Sequence, residues 1–222
     1  MTDLIPLLPS SHGDVETSER RDAAENRERM LTAAGTLFAA RGVAAITMND
    51  IAQAAGVGKG TLYRRYANKG ELCLALMDEH LQEFQDVMLA RMRQMQAANV
   101  PALTQLNHFL DALVHFTEAQ TPYLCEVEQA GLVETSQPHF WQQWTIRGLL
   151  QAAVAGGELP AGLDLDFVSG ALLAPLNAHY FRVQRQELGY SLARISAGLQ
   201  LLVTGLGHLR HDSSHDDAPP AV

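Results

Sequence analysis

Apolar residues recur at steps of three and four along most of this chain, the spacing that keeps one face of an α-helix buried. Met30, Ala34, Leu37 and Phe38 form such a stripe from about Asn26 to Ala40, and Gly42 follows as a stop. In "TMNDIAQAAG", Thr47 with Asp50 three residues later is a capping-box start, and Gly56 closes a short helix. A third short helix spans about Lys59 to Tyr66. Asn68 is a good N-cap for a fourth, with Glu71 at its third position. There Cys73, Met77, Leu81, Phe84, Met88, Met92 and Met95 keep one apolar face to about residue 96. Further helices are expected near 102–119, 122–134, 138–155, 164–186 and 190–209, separated by "QTP", "SQP" and "GGELPAG". Pro175 falls inside one of them and should kink it or loosen a hydrogen bond. β-Branched residues gather only at Ile46–Ile51, where alternation fails, so no strand is expected. Residues 1–24 and 211–222, rich in Ser, Asp and Pro, read as flexible tails. The expectation is an all-α protein of about nine helices.

Charge divides this helical chain into two parts. The net charge is −9, yet Asn26–Gly70 holds seven basic residues against two acidic ones, a local +5 that leaves −14 for the rest. A basic module on an acidic body follows: residues 25–72 as the module, 73–210 as the body. Hydrophobic residues make up 47% of the chain, ample for a buried core. Two cysteines, Cys73 and Cys125, make neither a disulfide framework nor a metal cluster. No apolar run approaches the roughly 20 residues that span a bilayer, and "LIPLLP" lacks a basic n-region. A cytoplasmic protein is expected.

Two short helices joined by "AGVG" after a longer one make a helix-turn-helix. At 100° per residue, Leu62 and Tyr66 share the inward face of the third helix. Gly60 and Arg64 lie opposite, with Thr61 on one flank and Lys59 and Tyr63 on the other. Such a face suits a major groove, where Arg or Lys meets guanine and Thr meets a thymine methyl. Lys69, in the first turn of the fourth helix, opposes the helix dipole unless a phosphate sits nearby.

The stretch "TMNDIAQAAGVGKGTLYRRYANKGEL", preceded by "MLTAAGTLFAARG", resembles the DNA-binding domain of TetR-family transcriptional regulators over about Arg27–Leu76. The resemblance implies DNA contact by Thr47, Lys59, Gly60, Thr61, Tyr63, Arg64 and Lys69. Thr47, Tyr63 and Lys69 would hold phosphates, and the others would face bases or nearby backbone. Gly58 stands where the family often carries Ser or Thr, and Tyr66 replaces a usual Phe. The resemblance further implies a body that dimerises through its last two long helices, near 164–186 and 190–209, and encloses a ligand cavity. Leu192, Ile195, Leu199, Leu202 and Leu206 offer a stripe suited to that dimer.

Candidate ligand-lining residues are Met88, Met92, Phe109, Phe116, Tyr123, Glu126, Trp141 and Trp144. A carboxylate such as Glu126 within aromatic walls would select a cationic apolar effector. His108, Asp111 and His115 share one helical face, with His139 as a conceivable fourth ligand; a polar helix face is the commoner meaning of such spacing, and neither metal nor cofactor is expected. The expected function is that of a ligand-responsive, sequence-specific DNA-binding repressor, released from a near-palindromic operator by a small molecule. One alternative is a helical small-molecule-binding or metal-dependent enzyme, although no Gly-rich phosphate loop, nucleophile elbow or HExxH is present. An architectural DNA binder without an effector is the other, and the acidic body argues against it.

Overall fold

The computed structural model describes residues 12–132 and 140–208, all of whose regular elements are helical. It divides into two compact units, Met1–Met77 with Cys125–Val133 and Asp78–Leu124 with Glu134–Val222. The sequence places the boundary at 72/73; in the structure the first turns of the fourth helix and a distant segment both group with the head.

The head contains α1 (His12–Arg41), α2 (Met48–Ala54), α3 (Lys59–Arg65), the start of α4 (Lys69–Ala97) and the end of α5 (Ala102–Gln129). Helix α1 starts well before Asn26, so residues 12–24 are helical where a tail is expected. Arg21 to Glu25 are all exposed, so no apolar stripe marks the segment. The helix there rests on the good propensity of Glu, Arg and Ala. The expected tails at 1–11 and 211–222 lie outside the described residues.

Met30, Leu31, Ala34 and Phe38 of α1 are buried with Ile51 and Ala52 of α2, Leu62 of α3, and Leu72, Cys73 and Leu76 of α4. Full burial of a leucine is worth about 1.5–3 kcal/mol, so Leu62, 0% exposed, fixes which face of α3 turns inward. Gly56, at φ +64, makes the left-handed turn between α2 and α3 that a side chain would strain.

The body core joins Met88, Met92 and Met95 of α4 to Leu106, Phe109, Leu110, Leu113 and Val114 of α5. Around them pack α6 (Phe140–Ala155), α7 (Leu165–Leu173), α8 (Ala178–Arg182) and α9 (Leu192–Gly207), through Ile146, Leu150, Leu172, Phe181, Ile195, Leu199 and Val203. Glu158 caps the first turn of α5, accepting from the amides of Ala102 and Leu103 at 2.7 and 3.1 Å.

The nine α-helices among the described residues match the expected number for offsetting reasons. Expected helices 102–119 and 122–134 are one helix, α5, with Pro122 inside it. Val114 before the proline and Val127 after it are both buried, and that packing overrides the local break. Conversely, expected helix 164–186 is split. Pro175 lies in a 3₁₀ turn (Ala174–Leu176), and Asn177, at ψ 133°, leaves helical geometry and caps α8 through His179 N. A π turn, Val183–Glu187, then ends the segment. Its Arg185 makes a two-pronged pair with Glu118 of α5, at 3.0 and 2.8 Å.

Candidate nucleic-acid interface

Burial sorts α3 as the helical wheel does. Leu62 and Tyr66 are 0% and 5% exposed, whereas Lys59, Gly60, Tyr63 and Arg64 are open to solvent and Thr61 is half-buried. Lys59, Arg64 and Arg65 have no hydrogen-bond or ion-pair partner among the described residues. A Cβ added at Gly60 would meet nothing within 4 Å, so the protein's own packing does not require glycine there. Gly58 caps α3 with no side-chain hydrogen bond.

Helix α2 has the full capping box that "TMND" announces. Asp50 N donates to Thr47 Oγ1 at 3.2 Å, and Thr47 N donates to Asp50 Oδ2 at 2.9 Å. The Thr47 hydroxyl also donates to Asp50 Oδ2, at 2.7 Å. These bonds from the Thr47 side chain, and then its backbone, hold the Asp50 carboxyl below its ordinary pKa of 3.8. Thr47 itself is exposed at the head of α2.

Lys69, expected at a phosphate, has partners within the head. Its ammonium donates to the carbonyls of Val43 and Ile46, at 3.1 and 3.2 Å, and pairs with Glu126 Oε1 at 2.9 Å. A lysine has three donors, and here each has an acceptor within the head. An internal carboxylate, Glu126, thus offsets the penalty of a cation at this helix start. Next to it, Gly70 lets α5 lie against α4: a Cβ there would come within 2.4 Å of Ala130 Cβ and 2.9 Å of Glu126 O. Asn68 Oδ1 accepts from Glu71 N at 3.0 Å, the expected cap of α4. Below this junction Cys73 is buried, and its thiol is pushed up to about 12 by desolvation and then by the Glu126 charge.

In the body, α4 and α5 line a cavity of about 380 Å³ with His80, Glu83, Phe84, Val87, Phe116, Ala119, Gln120 and Tyr123. Phe84 and Phe116 stack with centroids 4.4 Å apart, and His80 hydrogen-bonds Gln120 at 3.4 Å. Of the expected lining residues only Phe116 and Tyr123 belong to it. Met88, Met92 and Phe109 are buried in the core, where helical spacing equally places them. Trp141 packs edge-on against Phe109 and Phe84, and Trp144 is 71% exposed. Glu126 is engaged by Lys69 in the head. The missed His80, Phe84, Val87 and Gln120 had a signal: His80, Phe84 and Val87 on α4 follow an i, i+4, i+7 row, and Gln120 falls in the matching row of the expected Phe116 and Tyr123 on α5.

The histidine face of α5 is bound up in packing. His115 Nδ1 donates to the Asp111 carbonyl at 2.9 Å, and Asp111 Oδ1 accepts from Ser196 Oγ of α9. Among the described residues no three His, Cys, Asp or Glu side chains group as a metal site; His139 lies outside them.

A capped α2, a glycine turn, and an α3 with apolar inner and cationic outer faces define a helix-turn-helix DNA-binding regulator. Residues 30–76 match the family model of bacterial regulatory proteins, tetR family. The transcriptional regulator TtgR of Pseudomonas putida is 31% identical over 171 residues, 70% of this chain and 78% of that protein. The transcriptional repressor KstR2 of Mycolicibacterium smegmatis is 29% identical over 155 residues, 65% of this chain and 73% of its own. The crystal structure of Thermus thermophilus FadR, a repressor in complex with lauroyl-CoA, shares the fold: TM-score 0.59, 22% identity, 88% of this chain and 100% of that one. This chain belongs to the tetR family and is a DNA-binding transcriptional regulator. No helix among the described residues is long and apolar enough to cross a membrane.

Proposed function

We propose that this chain is a cytoplasmic repressor that reads a near-palindromic operator as a homodimer and releases it when a small molecule enters the body. The observation that carries the reading is the outer face of α3, where Lys59 and Arg64 have no partner among the described residues beside Gly60, whose Cβ position is open. In a major groove, Lys59 and Arg64 meet guanine acceptors, Thr61 meets a thymine methyl, and Gly60 admits the DNA backbone. Tyr63, 47% exposed, and Thr47 at the head of α2 reach phosphates. Lys69 is left out of this set, because its donors are already satisfied.

Dimerisation rests on apolar side chains exposed on α7, α8 and α9: Phe167 (72%), Tyr180 (49%), Leu201 (72%) and Leu202 (54%). Two copies then place recognition helices one DNA turn apart. The cavity at Phe84, Phe116 and Tyr123 is within the usual 300–1,000 Å³ of small-ligand sites. Its stacked aromatic wall suits an effector with a flat apolar body, and Glu83, His80 and Gln120 give it polar groups to orient that body. No catalytic role is proposed, in keeping with the regulators this chain resembles.

Selection of random duplexes by the purified protein tests the reading. A two-fold symmetric motif is expected, and Lys59→Ala should relax preference at one position in each half. Failure to enrich any sequence would sink the proposal, and A·T-rich enrichment without a motif would indicate an architectural binder.

A further inference from the structure

Lys69, Gly70, Cys73 and Glu126 form one knot in the head, and the DNA-reading face does not use it. Three chain segments meet there. Val43 and Ile46 lie in the connection between α1 and α2, 26 and 23 residues before Lys69. Lys69 opens α4, and Glu126 lies near the end of α5. The side chains of Lys69 and Glu126 are only 18% and 14% exposed, so solvent screens the pair little. The Lys69 ammonium faces two carbonyls and one carboxylate; the thiol of Cys73 is the other titratable group against it.

The Ile46 carbonyl is one peptide bond from Thr47, which caps α2 and stands at the exposed head of that helix. A cation anchored on Glu126 thus fixes the height and direction at which α2 begins. Gly70 keeps the anchor short, because any side chain there would push the end of α5 away. Glu126 also follows the cavity-lining Tyr123 by three residues on one unbroken helix.

We propose that Lys69 is a positioning residue and Glu126 its control point: together they clamp the α1–α2 connection in the form that presents Thr47 and α3 to DNA. The proposal rests on the DNA-binding reading above and deepens it, for it places regulation in one ion pair. Loosening the pair releases the two carbonyls and weakens binding, with no phosphate contact removed.

The test uses the full chain, the duplex it selects, and three variants, Glu126→Ala, Glu126→Gln and Lys69→Gln, each first shown to be folded by circular dichroism. Amide exchange of the free protein reports the clamp without DNA. Glu126→Ala should speed exchange across residues 42–47 and weaken DNA binding roughly tenfold, within the range usual for coupled sites. The slope of affinity against salt should stay unchanged. Glu126→Gln keeps an acceptor in place and should recover most of both losses. Combining Lys69→Gln with Glu126→Ala should cost little more than either alone. Equal or tighter DNA binding by Glu126→Ala would overturn the proposal, as would unchanged exchange at 42–47. So would a salt slope about one smaller in Lys69→Gln, the mark of a lost phosphate contact. If the wild type selects no duplex, the DNA reading fails and the DNA part of the proposal fails with it. That outcome is distinct from a wild type that binds while Glu126→Ala binds equally well.

Discussion

Ten residues separate two lysines that face opposite electrostatic surroundings. Lys59 stands on the exposed outer face of α3 with no partner among the described residues, whereas every donor of Lys69 is held by the head itself. These are the only lysines in the chain, and sequence alone makes both of them DNA contacts. The structure separates an exposed cation with no partner among the described residues from one whose donors are satisfied within the head. The same contrast recurs in the glycines: a Cβ added at Gly60 would meet nothing within 4 Å, whereas Gly70 has no room for one. It recurs in the caps as well, since α2 has a complete box and α3 has none.

The largest expected effect comes from exchanging each lysine for methionine. Lys69→Met strands the Glu126 carboxylate with 14% exposure, and should lower stability by roughly 2–3 kcal/mol, below the ~3–5 of a fully buried pair. Lys59→Met should stay within about 0.5 kcal/mol of wild type. Urea unfolding measures both, and equal losses would erase the contrast. Next come the glycines. Gly70→Ala should cost about 1–3 kcal/mol by overpacking against Ala130 and Glu126. Gly60→Ala should gain roughly 0.5 kcal/mol of helix propensity while weakening operator binding, stability and affinity moving in opposite directions. A Gly60→Ala protein that binds normally would remove glycine from the reading surface.

Acid distinguishes the caps. Asp50 titrates lower in the folded head than its ordinary 3.8, so it stabilises α2 above that pH, and the contribution is lost as pH falls through the lower folded value. Amide protection of α2 should decline over that acid range, and no such group acts at the Gly58 cap of α3. The smallest expected effect is at that cap. Gly58→Ser has room, its Cβ meeting Thr61 Oγ1 at 3.8 Å, and should add a few tenths of a kcal/mol to thermal stability.

Local rules made much of the fold legible. Thr47 with Asp50, Asn68 with Glu71, and the inward Leu62 and Tyr66 all follow from a few neighbouring residues, whereas Pro175 announced only a kink where the helix in fact breaks. Where the outcome depends on distant partners, the sequence is silent or misleads. Helix α5 continues through Pro122 because Val114 and Val127 are buried on either side. Glu126 reads as a pocket carboxylate until Lys69, far away in sequence, is seen beside it. Aromatic spacing could not tell core Phe109 from cavity Phe116, since both lie on the same helix and differ only in what packs against them.

The separation of the two lysines is tested most directly by repeating duplex selection with Lys59→Ala and Lys69→Gln beside the wild type. The expected result is a relaxed motif at one symmetric position for Lys59→Ala, and for Lys69→Gln the unchanged motif at reduced affinity. An unchanged motif from Lys59→Ala, or a relaxed one from Lys69→Gln, would contradict the division of roles between them.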